Sequence, residues 1–392
     1  MAERIMAERI VVIGAGVYGA AVAASLTRRG ARVTVVDAGA PAGGTSGATF
    51  SWINSCGKQP RPYHDLSVAG MEAHRKLAAE VPHSDWYHEG GNLEWAVGDA
   101  GRAELREKVA GVLDYGYEAR WLSRAEALRL EPDMDPAGLP ADEIAYFPRE
   151  GWIEPARLIG HLLSGAVSGG AELVPGDAVT GLEVTAGVVR AVRLASGRQL
   201  SAAAVVNCAG PQAARIAGLA GLVLPMRNTR GVLIYTSPVA VSVSRVIHAP
   251  HIHLRPDGAG RLLLHTSEID GAAHVSGTGE ISVAPEVRTE GVVPEARTES
   301  IEQSAVDNVL EAGRALYPGI RAATVESVRV SERPIPGDGL PVLGRAAGVP
   351  NFHFAVSHSG ATLSVRAGDL VAAEALGEDQ GDALAAFRFE RL

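Results

Sequence analysis

Residues 9–39 read RIVVIGAGVYGAAVAASLTRRGARVTVVDAG, and this stretch decides the fold. The opening RIVVIGAG is an unbroken apolar run ending in glycine, the pattern of a parallel strand covered on both faces. Gly14, Gly16 and Gly19 follow in G-x-G-x-x-G spacing. The first permits a tight turn, the second lets the backbone approach a pyrophosphate, and the third lets the next helix pack against the strand. From about Val17 to Arg29 the chain is alanine-rich, and Gly30 stands where a helix ends. ARVTVVDA reads as a second strand closed by Asp37, which lies where a carboxylate can take the two hydroxyls of a ribose. Such an acid favours an unphosphorylated ribose, so NADP is disfavoured, while NAD and FAD both stay open. Val17, Tyr18 and Ala38 border the same turn and join the expected cofactor-binding set.

The 392 residues exceed what a single core usually serves, so two domains are expected. A formal net charge of −9 and the lack of any Lys/Arg-rich run argue against a nucleic-acid partner. Two cysteines, Cys56 and Cys208, cannot build a disulfide framework, which fits a reducing cytoplasm, and no cysteine spacing suits a metal. No apolar run is long enough for a bilayer, and the charged N-terminus does not read as a secretory signal. MAERI occurs twice in succession at the start, and its first copy is set aside as an alternative start or a cloning scar.

Beyond Asp37 comes AGAPAGGTSGATFSWINSCGKQPRP, a long Gly/Ser/Thr/Pro loop beside the nucleotide turn. Thr45, Ser46 and Asn54 on it are candidates for cofactor contact. A helix is expected over 64–81, and a separate lobe over 86–150. GWIEPARLIGHLLSGAVSGGAEL restarts a helix with Pro155 near its first position. Residues 177–211 read as a meander whose last strand, AVVNCAG, precedes a helix opened by Pro211. GVLIYTS, HIHLRP and RLLLHTS alternate in a β manner, with one helix near 299–316. The chain closes with a strand, NFHFAV, a Ser-Gly turn and a helix ending before Gly377.

The order of these pieces resembles the D-amino acid oxidase/glycine oxidase/sarcosine oxidase superfamily of flavoproteins over nearly the whole chain. Three motifs carry the resemblance: GAGVYGAAVAASLTRRGARVTVVDA, VVNCAG, and RPIPGDGLPVLG followed by FHFAVSHSGATLSVRAGDLVA. It implies an α/β fold: a Rossmann-like FAD-binding domain and a second α+β substrate domain built on an antiparallel sheet. The first would comprise residues 6–85, 151–225 and 331–392, and the second 86–150 and 226–330. Val179, Ala209 and Gly210 join the expected FAD contacts. Gly360, Ala361 and Thr362 would present helix N-terminal amides to the flavin, where a partial positive charge stabilises its reduced form. Relatives that bind flavin covalently use a histidine or a cysteine, but Ser51 stands at the first position and no cysteine lies near the second. The FAD is therefore expected to be non-covalent.

The resemblance also implies the chemistry: hydride transfer from the α-carbon of a small amine or amino acid to flavin N5, giving an imine. O2 or another acceptor would then re-oxidise the flavin. Arg333 matches the arginine that pairs with a substrate carboxylate, with an exposed pair to Glu332 as the alternative. His248, His251, His253, His265 and His274 fall in one β-rich lobe. His251 and His253 alternate and would share a strand face, lining the substrate cavity or merely facing solvent. No metal is expected there. His358 and His253 are the candidate catalytic groups, and Arg333 and His251 the substrate-binding ones. Lys58 aligns with no known role. Other readings are oxidation of a hydroxy acid, or a flavin-binding redox protein of low turnover.

Overall fold

The computed structural model describes residues 9–271, 273–275, 299–301 and 303–392. Its first layer is a six-stranded sheet in the order Val342–Ala346, Val349–Val356, Ala204–Asn207, Arg9–Ile13, Arg32–Val36, Glu172–Val174. All neighbours run parallel except the first pair. The opening strand shows why its sequence is apolar throughout. Ile10 and Val12 enter the core beneath the helices, while Val11 and Ile13 enter the core on the opposite face. Helices Val17–Arg28, Arg61–Glu80, Pro155–Ser168 and Gly360–Ala375 cover the first face. An antiparallel meander (Val179–Thr185, Val188–Leu194, Gln199–Ser201) and the helix Ala213–Leu219 cover the second.

The second layer is an eight-stranded sheet whose strands come from 92–147 and 229–333. Its order is Val325–Arg333, Thr229–Thr236, Arg261–His265, Ile252–Asp257, Val246–Ala249, Asn92–Glu94, Ile144–Phe147, Arg120–Leu122. It is antiparallel apart from one parallel junction, Val246–Ala249 with Asn92–Glu94. Its own core includes Leu254, Leu264, Val309 and Tyr317, with the helix Gln303–Leu316 packed on it. Among the described residues no helix is long and apolar enough to cross a membrane.

Several boundaries differ from expectation. The helix predicted over 64–81 begins at Arg61, because Pro62 takes a first-turn position where its missing N–H costs nothing. Pro211 lies in a 3-10 turn, Gly210–Gln212, ahead of the helix proper. The strand expected to carry both His251 and His253 starts only at Ile252. His251 is exposed in the two-residue turn joining it to Val246–Ala249, so the two histidines share no face. The side chain of His274 lies outside the described residues.

Candidate active site

The nucleotide end is built by the turn after the first strand. Gly14 adopts a φ of +107°, and a Cβ there would meet the Cys208 carbonyl, so only glycine fits between the two strands. Asp37, half-buried at the end of its strand, is latched to the same turn. Its Oδ2 accepts from the Ala15 amide (2.6 Å) and its Oδ1 from the Gly39 amide (2.8 Å). Ser46 Oγ accepts from the Val17 amide (3.1 Å), at the start of the first helix, and Gly16 lies against the same hydroxyl. Thr45 Oγ1 donates to the Glu332 carbonyl (2.5 Å), tying the loop to the end of the eight-stranded sheet. Ala209 lies against Gly14, its amide donating to Asn207 Oδ1 (3.2 Å), and Gly210 follows with a φ of +54°. Ala38 is exposed beside Asp37. Val179 is packed in the core with Val11 and Ile13, and it is Asp177, two residues earlier, whose amide reaches the Asp37 carbonyl (3.0 Å).

The last helix comes back to this turn. Its first residue, Gly360, lies against Val17 and the Tyr18 ring, and Tyr18 Oη is 2.7 Å from Ser357 Oγ. The 54–58 loop is fastened to the same helix end. The Asn54 amide donates to Thr362 Oγ1 (3.2 Å), Lys58 Nζ donates to Ser359 Oγ (2.9 Å), and Tyr63 Oη meets that hydroxyl at 2.5 Å. The first intrahelical bond of this helix is Leu363 N to Ser359 O. Gly360, Ala361 and Thr362 therefore hold amides that the helix itself does not use. Two helix N-termini and one strand-end carboxylate thus converge, which supplies N–H donors for a diphosphate and an electron-rich ring and an acceptor for ribose hydroxyls. The residues fit FAD.

Beyond this junction opens a cavity of about 370 Å³ lined by Thr45, Phe50, His248, His253, His265, Asp270, Arg333 and His358, among others. Three of its imidazoles are in register on adjacent strands, His248 opposite His253 and His253 opposite His265, so they form a row on one sheet face. Their centroids lie 4.8 and 5.6 Å apart. Trp52 packs on His248 at 4.1 Å, and His248 Nδ1 donates to Asn92 Oδ1 (2.8 Å). Burial holds His248 well below the ordinary imidazole range, helped by neighbouring His253. Burial and His265 lower His253 to about 4. His358 faces the cavity, and its enclosure, with Lys58 and Arg333 nearby, lowers it to about 4 as well. Among the described residues no group of three or more His, Cys, Asp or Glu could hold a metal ion.

Arg333 reaches this cavity, but its partner is not Glu332. Its Nη1 lies 2.8 Å from Asp270 Oδ2 and donates to the Arg230 carbonyl (2.7 Å), and its Nη2 lies 3.2 Å from His265 Nε2. The guanidinium lies flat over Gly231 on the neighbouring strand, where a Cβ would come within 2.8 Å of it. Asp270 also accepts from the Val232 amide (2.8 Å) and from His265 Nε2 (3.1 Å). Burial works against its charged form, but these donors hold its carboxyl below the usual range. Of the expected site residues, His253, His358 and Arg333 meet in the cavity, whereas His251 does not line it. The sequence reading missed Asp270, Phe50, Trp52 and Glu150. A five-residue step from His265 to Asp270, spanning strand end to helix, was the available signal for the first.

Below Trp52 lies Glu150, 1% exposed. Its Oε1 accepts from the Ser55 and Cys56 amides (3.1 and 2.9 Å) and from Tyr117 Oη (3.3 Å), and its Oε2 accepts from Trp52 Nε1 (3.0 Å). Burial pushes its carboxyl above the usual range, against the pull of those donors and of Lys108. Lys108 Nζ in turn binds both Glu94 oxygens at 2.7 and 2.9 Å.

Comparison with known proteins agrees with this geometry. The sequence profile of the DAO family, FAD dependent oxidoreductase, matches residues 9–374. Glycine oxidase of Bacillus licheniformis is 24% identical over 391 residues, covering 97% of this chain and 96% of that protein. The crystal structure of glycine oxidase from Geobacillus kaustophilus superposes with a TM-score of 0.81 at 24% identity, covering 98% and 99% of the two chains. Iminodiacetate oxidase (IdaA) from Chelativorans sp. BNC1 superposes with a TM-score of 0.77 at 24% identity, covering 97% and 98%. The structural likenesses establish the shared fold, and the class is that of FAD-dependent oxidoreductases. Within it the chain belongs to the DAO family, and its cofactor is FAD.

Proposed function

We propose that the protein oxidises the C–N bond of a small amine or amino acid. The carrying observation is that the cavity shares Thr45 with the glycine-turn loop and His358 with the turn before the last helix. A molecule held there faces the place where the flavin ring is gripped. The related glycine oxidases and iminodiacetate oxidase, named for amine-bearing acids, support the same reading. Asp37 would hold the ribose, Ser46 and the amides of the first helix the diphosphate, and Gly360, Ala361 and Thr362 the ring. FAD supplies the two-electron acceptor. Residues 6–85, 151–225 and 331–392 would form the FAD-binding domain, and 86–150 and 226–330 the substrate domain.

The chain's own groups then have a limited task. The substrate must bind as a neutral amine, because an ammonium has no lone pair to support loss of hydride from the neighbouring carbon. His253 and His358, both held neutral by their surroundings, can accept a hydrogen bond from the amine without supplying it a proton, which favours the neutral amine over the ammonium. Loss of hydride and a proton leaves an imine, which water hydrolyses. Both cysteines are free and buried, and burial raises both thiols, so neither favours the thiolate that a cysteinyl link to flavin would need, which supports non-covalent FAD. Acid precipitation should release all of it into the supernatant.

The test is anaerobic mixing of the yellow protein with amines, D- and L-amino acids and hydroxy acids. Bleaching by amines or amino acids, and none by hydroxy acids, is expected. Bleaching confined to hydroxy acids would move the chemistry to a C–O bond, and none on the whole panel would favour a redox protein of low turnover. Peroxide release on admitting air identifies an oxidase.

A further inference from the structure

We infer that Asp270 is the specificity-determining residue of this cavity, a resident carboxylate on Arg333 that selects amines whose group facing Arg333 is uncharged. The inference rests on the C–N reading above and goes beyond it by naming the substrate class: carboxamides, esters or alcohols rather than free acids.

Asp270 is fixed by more than Arg333. The Val232 amide fills one oxygen and the Arg333 guanidinium the other, with His265 Nε2 within 3.2 Å of both. The residue sits on the short helix Ser267–Gly271, whose Ile269 amide donates to Thr266 Oγ1 (3.3 Å). Removing Arg333 from it would leave a half-buried carboxylate short of its charge partner. A substrate carboxylate arriving at Arg333 would therefore be a second anion on a guanidinium already neutralised. Burial keeps His248 and His253 uncharged, so those imidazoles offer no compensating charge.

An uncharged acceptor meets a different situation. A guanidinium has five N–H donors. Two are directed at Asp270 and the Arg230 carbonyl, and His265 Nε2, which donates to Asp270, cannot accept a third, so three are left without an acceptor among the described residues. A carbonyl or hydroxyl oxygen can accept from these without opposing the Asp270 charge. The Arg333–Asp270 pair thus presents a polar but electrically neutral wall, and like-charge repulsion supplies the discrimination.

The test uses the flavin-loaded enzyme and matched pairs differing in one group: glycine and glycinamide, N-methylglycine and its amide, proline and prolinamide. Anaerobic bleaching should be at least about tenfold faster with each amide at equal low concentration, the size expected of a like-charge clash. Asp270→Asn should raise the acid-to-amide ratio of bleaching rates by about tenfold or more. Benzoate and benzamide, which cannot be oxidised at an α-C–H, give the same ratio as dissociation constants from the perturbed flavin absorption band. A wild-type preference for the acids, or an acid-to-amide ratio unmoved by Asp270→Asn, overturns the inference. If no amine bleaches the flavin but benzamide outbinds benzoate, the C–N reading fails and this one stands. If benzoate outbinds benzamide, this one fails whatever the amines do. Should Asp270→Asn not fold, the wild-type ratios decide alone.

Discussion

Tyr18 and Ser357 are 339 residues apart in sequence, and their hydroxyls meet at 2.7 Å in the interior. The bond joins the first turn of the first helix to the segment that enters the last one. Burial pushes the Tyr18 phenol far above its ordinary range, with Ser357 pulling the other way, so the residue stays a neutral hydrogen-bonding group at any working pH. Tyr18→Phe keeps the ring against Gly360 but orphans the Ser357 hydroxyl. It should cost about 1 kcal/mol in a denaturation midpoint measurement. Tyr18→Ala also loses the ring and should cost roughly 3–5 kcal/mol. Equal stability of Tyr18→Phe and wild type would mean that the bond contributes nothing to the junction.

The glycine turn makes a sharper prediction about the cofactor. Gly14→Ala forces a side chain into a left-handed backbone position and against the Cys208 carbonyl, so the turn must shift. The purified variant should carry little flavin, read as the ratio of absorbance near 450 nm to that at 280 nm. Asp37→Asn keeps the shape but replaces one of the two oxygens that accept the Ala15 and Gly39 amides. Its affinity for added FAD should fall by roughly ten- to thirtyfold, or about 1.5–2 kcal/mol. Full flavin content in Gly14→Ala would show that the turn is not the diphosphate cradle.

Why the sequence displayed the nucleotide end but only half of the cavity is a matter of range. The strand, turn, helix and acid of residues 9–37 are consecutive, and each leaves a local signature in spacing or residue type. The row of imidazoles does not. His248, His253 and His265 stand together because a hairpin and a second turn set the register of three strands, and register depends on turn length. Placing the hairpin turn at Pro250–His251 rather than one residue earlier removes His251 from the row. Asp270 had only its five-residue step from His265 to mark it, since it faces Arg333 from 63 positions away on an element that carries no motif. Glu150 is a loop acid in the sequence, and only its four donors from residues 52–56 and 117 make it a buried anchor.

Acid should weaken the fold before ordinary carboxylates titrate. His74 and His353 are both deeply buried, and burial lowers each to about 4, despite a partial counter-pull from the Ala361 backbone and from Glu374 respectively. In the unfolded chain each returns to an ordinary value near 6.5. Between about pH 6.5 and 4 the unfolded state therefore binds more protons than the folded one. Stability is fully present above pH 6.5 and falls as pH drops through the window, by up to about 1.4 kcal/mol per pH unit for each histidine. Carboxyls raised by burial, Glu150 among them, act in the opposite sense, so the comparison must be internal. Urea midpoints of wild type and His74→Gln at pH 7.5 and 5.0 isolate the contribution. The variant should lose less stability than wild type on acidification, and an identical loss would show that His74 is not buried neutral.

Glu150 offers the last test, because it connects stability to the cofactor. Its carboxylate is the common acceptor for the Ser55 and Cys56 amides, Trp52 and Tyr117. All four partners donate, so a group that itself carries N–H cannot serve them. Glu150→Gln must either turn its NH2 toward a buried donor or leave one unsatisfied, at roughly 2–4 kcal/mol. Lys108, which stands over the Trp52 ring, also loses one of its nearby counter-charges while keeping Glu94. The consequence should not stop at stability. The segment that Glu150 grips runs directly into Asn54 and Lys58, whose bonds to Thr362 and Ser359 fasten it to the start of the last helix. Loosening it should let that helix end drift from the ring that it is proposed to support. Glu150→Gln is therefore expected to lower the urea midpoint and to release FAD more readily, whereas a destabilising change in the eight-stranded sheet's own core, such as Val309→Ala, should lower the midpoint alone. Loss of stability with unaltered FAD affinity in Glu150→Gln would show that the 52–58 segment is held for the fold and not for the cofactor.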